Sequence, residues 1–279
     1  MHPLITPNQL EELVNTGADI LICDCRFDLA KPDAGRDAYN TGHIPGAIYI
    51  DLDRDLSAEK TGHNGRHPLP SPQAWAQTKQ RLGIDSGMHV IAYDAHGSVY
   101  ASRLWWMLKA SGHDQVQVLD GGLNAWNGSI GTVPREVLPL KTTPPVRPWR
   151  GLITVDAIEA CVAAGQQSAQ HIVDARAEDR YHGENETLDP VGGHIPGSRN
   201  RFFKHNLSSG QFKSPDTLRA EFSLLLGDIA VSNVIHQCGS GVTACHNLLA
   251  MEVAGLPGSL LYAGSWSEWC SDPRRPIAR

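Results

Sequence analysis

Gly42-His43-Ile44-Pro45-Gly46 returns as Gly193-His194-Ile195-Pro196-Gly197, the same five residues 151 positions later. Outward from this pentapeptide the echo continues. Asp24-Cys25-Arg26 is answered by Asp174-Ala175-Arg176 at an offset of 150, and Leu119-Asp120-Gly121-Gly122-Leu123-Asn124-Ala125-Trp126 more loosely by Leu261 to Trp269. The chain is therefore written twice, with the parts in the same order in each copy. Val133 to Pro148 separates the copies and is rich in proline, which predicts an extended linker. The spacing predicts a first domain over 1–140, a linker over 141–150 and a second domain over 151–279, and a length of 279 residues suits two domains of ordinary size.

Within each copy short apolar runs alternate with helical patterns. Residues 19–23, 88–93, 171–174 and 231–236 read as buried strands. Helices are predicted over 8–16, 71–82, 99–111, 155–164, 217–226 and 244–255. Such alternation implies an α/β fold, each domain a mainly parallel sheet flanked by helices. In these sheets ligands bind beyond the carboxyl ends of the strands.

One strand leads to chemistry at that end. Val234-Ile235-His236-Gln237-Cys238-Gly239-Ser240-Gly241-Val242-Thr243-Ala244 runs from a strand through a glycine turn into a helix. A thiol at a helix N-terminus meets unpaired N–H groups and a dipole that favour an anion. The glycines let backbone fold round a small charged group, and Ser240 and Thr243 add hydroxyl donors. A buried structural cysteine is the plainer alternative, but Gly-Ser-Gly is poor core material. Aligning the copies puts Asp94 where the second has Cys238. A carboxylate there is no sulfur nucleophile, so the first domain is expected to be inactive. One centre per chain, where the halves meet, is the expectation.

The duplicated Asp-x-Arg, Gly-His-Ile-Pro-Gly, loop and Gly-x-x-x-x-Trp plan resembles the two-domain rhodanese family of sulfurtransferases over nearly the whole chain. The loop Cys238 to Ala244 is similar to that of the branch using 3-mercaptopyruvate; the thiosulfate-preferring branch places basic residues just after the cysteine. The resemblance implies two tandem rhodanese-like domains. It implies that Cys238 takes sulfur from a small anionic donor as a persulfide, cradled by Gly239, Gly241, Val242, Thr243 and Ala244. The sulfur then passes to a thiol such as thioredoxin or a small thiol, or to cyanide. It assigns Ser240, His67 and Asp53 to a proton relay that meets the leaving pyruvate enolate. Arg180 takes the role of the arginine that grips the substrate carboxylate; the plainer alternative is a surface ion pair with Asp179 or Glu184. A second such arginine normally precedes the second pentapeptide, yet Glu184 to Gly193 holds no basic residue. Arg199, Arg201 and Lys204 are the candidates to replace it.

Arg26 and Arg176 are expected to tie loops to the neighbouring aspartates, and His43 and His194 to serve their turns. Trp266 and Trp269 belong to core or pocket wall, and Cys245 packs on its helix. Cys23 and Cys25 lie on an apolar strand without partner ligands, so neither a metal nor a cofactor is expected. A net charge of −6 without a basic stripe argues against nucleic acid, and no run is long enough to span a membrane. No signal peptide is visible, so a cytoplasmic address with six free thiols is the default. Rival activities are thiosulfate:cyanide sulfur transfer, a persulfide carrier without turnover, and a cysteine phosphatase. The last requires an arginine where Ala244 stands.

Overall fold

In the computed structural model, which describes residues 1–279, each copy folds around its own five-stranded parallel sheet. In the first the strands are β1 (Leu4–Ile5), β2 (Ile20–Asp24), β3 (Ala47–Tyr49), β4 (His89–Tyr93) and β5 (Val116–Leu119), in the order β1-β5-β4-β2-β3. In the second they are β6 (Leu152–Ile153), β7 (His171–Asp174), β8 (Arg199–Asn200), β11 (Val234–Gln237) and β12 (Leu260–Tyr262), in the equivalent order β6-β12-β11-β7-β8. Two further short strands, β9 (Leu207–Ser208) and β10 (Gln211–Phe212), lie outside both sheets. The register repeats too: Asp24 lies beside Tyr93 on β4 as Asp174 lies beside Gln237 on β11.

The helices of the first copy are α1 (Pro7–Asn15), α2 (Ala34–Thr41), α3 (Pro72–Arg81), α4 (Val99–Ala110) and α5 (Gly122–Ala125). Those of the second are α6 (Val155–Ala164), α7 (Glu178–Tyr181), α8 (Pro215–Leu226), α9 (Thr243–Val253) and α10 (Ser265–Trp269). Three starts share one local device. Thr6, Ser71 and Ser214 each cap the helix through a side-chain oxygen, and proline follows at the first helical position. The structure adds 3-10 turns at residues 165–167, 203–206 and 231–233, the last shortening the strand predicted over 231–236.

One core gathers Ile5, Leu10, Ile22, Ile91, Tyr93 and Leu119, and the other Ile158, Ile172, Ile235, Tyr262, Trp266 and Trp269. Burying each such side chain stabilises its unit by roughly 1.5–3 kcal/mol. The chain divides into two compact units, but the division does not follow the sequence repeat throughout. The first unit comprises residues 1–57, 70–150 and 209–211; the second comprises 58–69, 151–208 and 212–279. A loop written in the first copy thus folds with the second. The proline-rich segment holds no helix or strand and is strapped to the first unit: Leu140 N–H donates to the Gln80 carbonyl at 2.9 Å, and Trp149 Nε1 to that of Pro70 at 3.1 Å. No helix is long and apolar enough to cross a membrane.

Candidate active site

Cys238 follows the carboxyl end of β11 and is 2% exposed. The start of α10 braces its backbone. Cys238 N–H donates to Ser265 Oγ at 3.1 Å, and the Cys238 and Gly239 carbonyls accept from Trp266 and Ser267 N–H at 2.9 Å each. Ser265 is held in turn by the Tyr262 carbonyl at 2.9 Å. Gly241 adopts φ +74°, and a β-carbon there would collide with the Ala263 carbonyl oxygen, so this position needs glycine. From Gly241 the chain enters α9, eleven residues long, whose first N–H groups have no intrahelical acceptor.

The first unit shows what such a loop does with an anion. Gly97 has φ +73° at the position equivalent to Gly241. The Asp94 carboxylate folds back into its own loop and accepts four backbone N–H groups: His96 at 2.8 Å and Ser98 at 2.9 Å on Oδ1, Tyr100 at 2.8 Å and Ala101 at 3.0 Å on Oδ2. The loop is an anion cradle, already filled by its own residue. In register the donors correspond to Ser240, Val242, Ala244 and Cys245. Cys245 N–H is taken by the Val242 carbonyl at 3.0 Å, and its thiol lies 3.3 Å from the Gly241 carbonyl, packed on its helix.

The loop Ala58–Leu69 belongs to the second unit. Ala58 N–H donates to the Pro68 carbonyl at 2.8 Å and closes it, while Arg66 N–H donates to Ser267 Oγ at 3.0 Å. His67, 4% exposed, is thereby set with Nδ1 2.8 Å from Ser240 Oγ. Two residues predicted from opposite copies are in direct contact.

Arg180, on α7, places its guanidinium beside the loop. A β-carbon on Gly239 would lie 3.4 Å from Arg180 Nη2 and 2.7 Å from Arg66 Nη2. Arg66 brings a second guanidinium beside Gly239, and the sequence reading missed it. It carries no motif of its own and sits 114 positions before Arg180; only the transfer of its loop into the second unit brings it here. The three candidates named for that role are engaged elsewhere. Arg199 donates to the Leu225 carbonyl, Arg201 binds Asn206 and Glu221, and Lys204 lies over the Phe202 ring. Arg180 does form an ion pair, but its partner is Glu186, at 2.8 and 2.9 Å, rather than Asp179 or Glu184. Asp179 accepts the Arg180 backbone N–H and Asn185 Nδ2. Asp189 pairs with Arg66 and lies 3.5 Å from Arg180 Nη2.

Asp53 belongs to the first unit. Its two neighbours hold the local turn: Asp51 Oδ1 accepts the N–H groups of Asp53 and Arg54, and Asp55 accepts the Asp51 N–H and Arg81. Arg26 grips Asp24 and the Gly42 carbonyl, and Arg176 grips Asp174 and the Gly193 carbonyl. His43 and His194 stack on Tyr39 and Tyr181 and bond those residues' carbonyls through Nδ1, at 2.7 and 2.9 Å. Trp266 and Trp269 are fully buried in the core. Burial pushes the Cys270 thiol up to about 11 and the Cys23 and Cys25 thiols far above the ordinary range. No cluster of three or more His, Cys, Asp or Glu side chains is arranged to hold a metal ion.

Comparison with known proteins agrees with this picture. The rhodanese-like domain family matches residues 6–129 and again 159–272. The chain is 43% identical to a probable 3-mercaptopyruvate sulfurtransferase of Pseudomonas aeruginosa, over 99% of this chain and 97% of that protein. It is 36% identical to a putative thiosulfate sulfurtransferase of Mycobacterium tuberculosis, over 99% and 96%. Among solved structures, 3-mercaptopyruvate sulfurtransferase from Leishmania major superposes with a TM-score of 0.84 at 30% identity, covering 98% of this chain and 75% of that one.

Proposed function

The chain belongs to the rhodanese-like family and is a sulfurtransferase, and from that premise we propose that it moves the sulfur of 3-mercaptopyruvate through Cys238 to a thiol. The contact between His67 Nδ1 and Ser240 Oγ, at 2.8 Å, carries this choice of donor. The Cys238 thiolate attacks the donor sulfur, and the S–S bond forms as the C–S bond breaks. The released electron pair passes to carbon as the enolate of pyruvate, which must take a proton. A hydroxyl backed by imidazole supplies it. Sulfite, the fragment thiosulfate would release, needs no such proton. In the second half-reaction an acceptor thiolate attacks the outer sulfur and Cys238 leaves as thiolate.

The Asp94 cradle supports an assignment of donors in the active loop. The N–H groups of Ser240, Val242 and Ala244 hold the persulfide, with Gly239, Gly241 and Thr243 shaping the loop. Arg180 and Arg66, both beside Gly239, bind the carboxylate. Asp53 as the carboxylate that orients His67 rests on the family resemblance. The physiological acceptor in this reading is thioredoxin or a small thiol, with cyanide as a laboratory substitute. The address is cytoplasmic, in keeping with six free cysteines.

Thiosulfate is the second reading, because two guanidinium groups at Gly239 suit a sulfonate as well as a carboxylate. The test is kcat/KM for both donors, with Cys238→Ser as the blank. A preference for 3-mercaptopyruvate of about a hundredfold, roughly 2.7 kcal/mol of transition-state discrimination, is the expected result. A preference for thiosulfate would overturn the donor assignment.

A further inference from the structure

The two cations beside Gly239 are matched by two acids that the sulfur chemistry does not use. Asp189 and Glu186 are nearly inaccessible, their side chains 2% and 3% exposed, whereas those of Arg66 and Arg180 are 26% and 20% exposed. The acids are therefore buried more deeply than the guanidinium groups they pair with, which keep part of their surface open. The charges cancel, two against two.

The acids differ in how they are held. Glu186 accepts the backbone N–H groups of Leu188 at 2.8 Å and Asp189 at 3.1 Å, binds Arg180 and reaches Arg176 at 3.5 Å. It fastens its own loop. The Asp189 side chain bonds no backbone group: it pairs with Arg66 and lies 3.5 Å from Arg180, with the Glu186 carboxylate close enough to act on it. Burial, offset in part by Arg66, pushes the Asp189 carboxyl above the ordinary carboxylate range, so its charge near neutrality is a burden on the fold. A buried charge that makes no local structure acts on what the arginines bind.

We propose that Asp189 sets the charge of the donor: by neutralising Arg66 beside Gly239 it favours a monoanionic carboxylate donor over a dianion such as thiosulfate. The first negative charge of a donor is met by the open surface of the arginine pair. A second negative charge would enter a site with no surplus of positive charge and lose its hydration there. Asp189 is thus a positioning residue acting through Arg66. The inference rests on the donor site proposed above.

The test measures kcat and KM for 3-mercaptopyruvate and thiosulfate in the wild type, Asp189→Asn and Asp189→Glu. The expected result is that Asp189→Asn raises the thiosulfate-to-mercaptopyruvate ratio of kcat/KM by about tenfold, through a lower KM for thiosulfate with kcat little changed. Asp189→Glu should return the wild-type ratio. A ratio within about twofold of wild type in folded Asp189→Asn would overturn the inference. A readout without any variant is competition against persulfide formation in the wild type by unreactive anions. Pyruvate should inhibit at concentrations at least about fivefold lower than sulfate, and equal or tighter binding of sulfate counts against the proposal. Should the wild type use thiosulfate alone, the donor assignment fails separately, and the KM for thiosulfate in Asp189→Asn still decides the role of Asp189.

Discussion

In the proposed mechanism Cys238, Ser240 and His67 divide the chemistry by residue type: a soft nucleophile, a hydroxyl at the loop and an imidazole behind it. Replacing His67 by alanine is expected to lower kcat with 3-mercaptopyruvate by about a hundredfold while leaving thiosulfate turnover within about threefold, because only the enolate needs a proton. Paired steady-state assays of the two donors check this, and equal losses on both would remove the relay. Gly241 bears on the same loop through shape alone. Gly241→Ala forces a β-carbon against the Ala263 carbonyl from a left-handed backbone and should cost about 2 kcal/mol or more, read as a shift of the urea midpoint. Most of these residues were legible in the sequence because each lies in a motif: Cys238 and Ser240 in the glycine turn, Arg180 after the Asp-Ala-Arg run, His67 by family register. Arg66 was not, since it gains its role only by being near Gly239 in space. Nor were Glu186 and Asp189, which read as an ordinary acidic loop until their burial was seen.

Among the elements, the strand–loop–helix unit is the recurring part, and the two copies differ in what fills it. Asp94 supplies its own anion to four amides at the start of α4, so the loop of the first copy is satisfied from within. Asp94→Asn keeps the shape but turns an NH2 group toward N–H donors, and should destabilise the protein by about 2 kcal/mol in thermal unfolding. The loop holding Glu186 gives a pH dependence of definite sign. Burial raises the Glu186 carboxyl, but the Leu188 amide and Arg180 outweigh it and hold it below its ordinary 4.5. Its stabilisation is therefore present above pH 4.5 and lost as pH falls through the lower folded value. Asp189 has the opposite sign: raised from 3.8, it contributes stability only in acid and loses it as pH rises through its folded value. At pH near 7, Glu186→Gln should lower Tm by a few degrees and Asp189→Asn should not, which differential scanning calorimetry reads directly. Long elements other than the eight-residue helix α2 were read from periodicity to within a few residues. The two- to five-residue pieces β1, β3, β5, β6, β8, β9, β10, β12, α5, α7 and α10 were not, because so short a segment shows no period and is fixed by its neighbours.

At the scale of the molecule, the repeat declared two α/β bodies, and parallel sheets of the same strand order stand in both copies. What it did not announce is the exchange of Ala58–Leu69, since nothing in the composition of that loop says which sheet it will serve. A fragment of residues 151–279 contains Cys238, Ser240 and Arg180 but neither Arg66 nor His67. It should show less than about 1% of the mercaptopyruvate turnover of the whole chain, and co-expression with residues 1–150 should restore part of it. Turnover by the fragment alone near that of the whole chain would show that the borrowed loop is dispensable. The same loop also sets a clock on synthesis. His67 and Ser240 are separated by 173 residues, and a ribosome adding roughly 5–20 residues each second takes about 9–35 s to cover that interval. Throughout it the first sheet is free to form while its outgoing loop waits. A nascent chain therefore brings His67 to Ser240 only once the second copy has been largely synthesised, so on the proposed mechanism a product terminated before Ser240 would be folded in part and chemically silent.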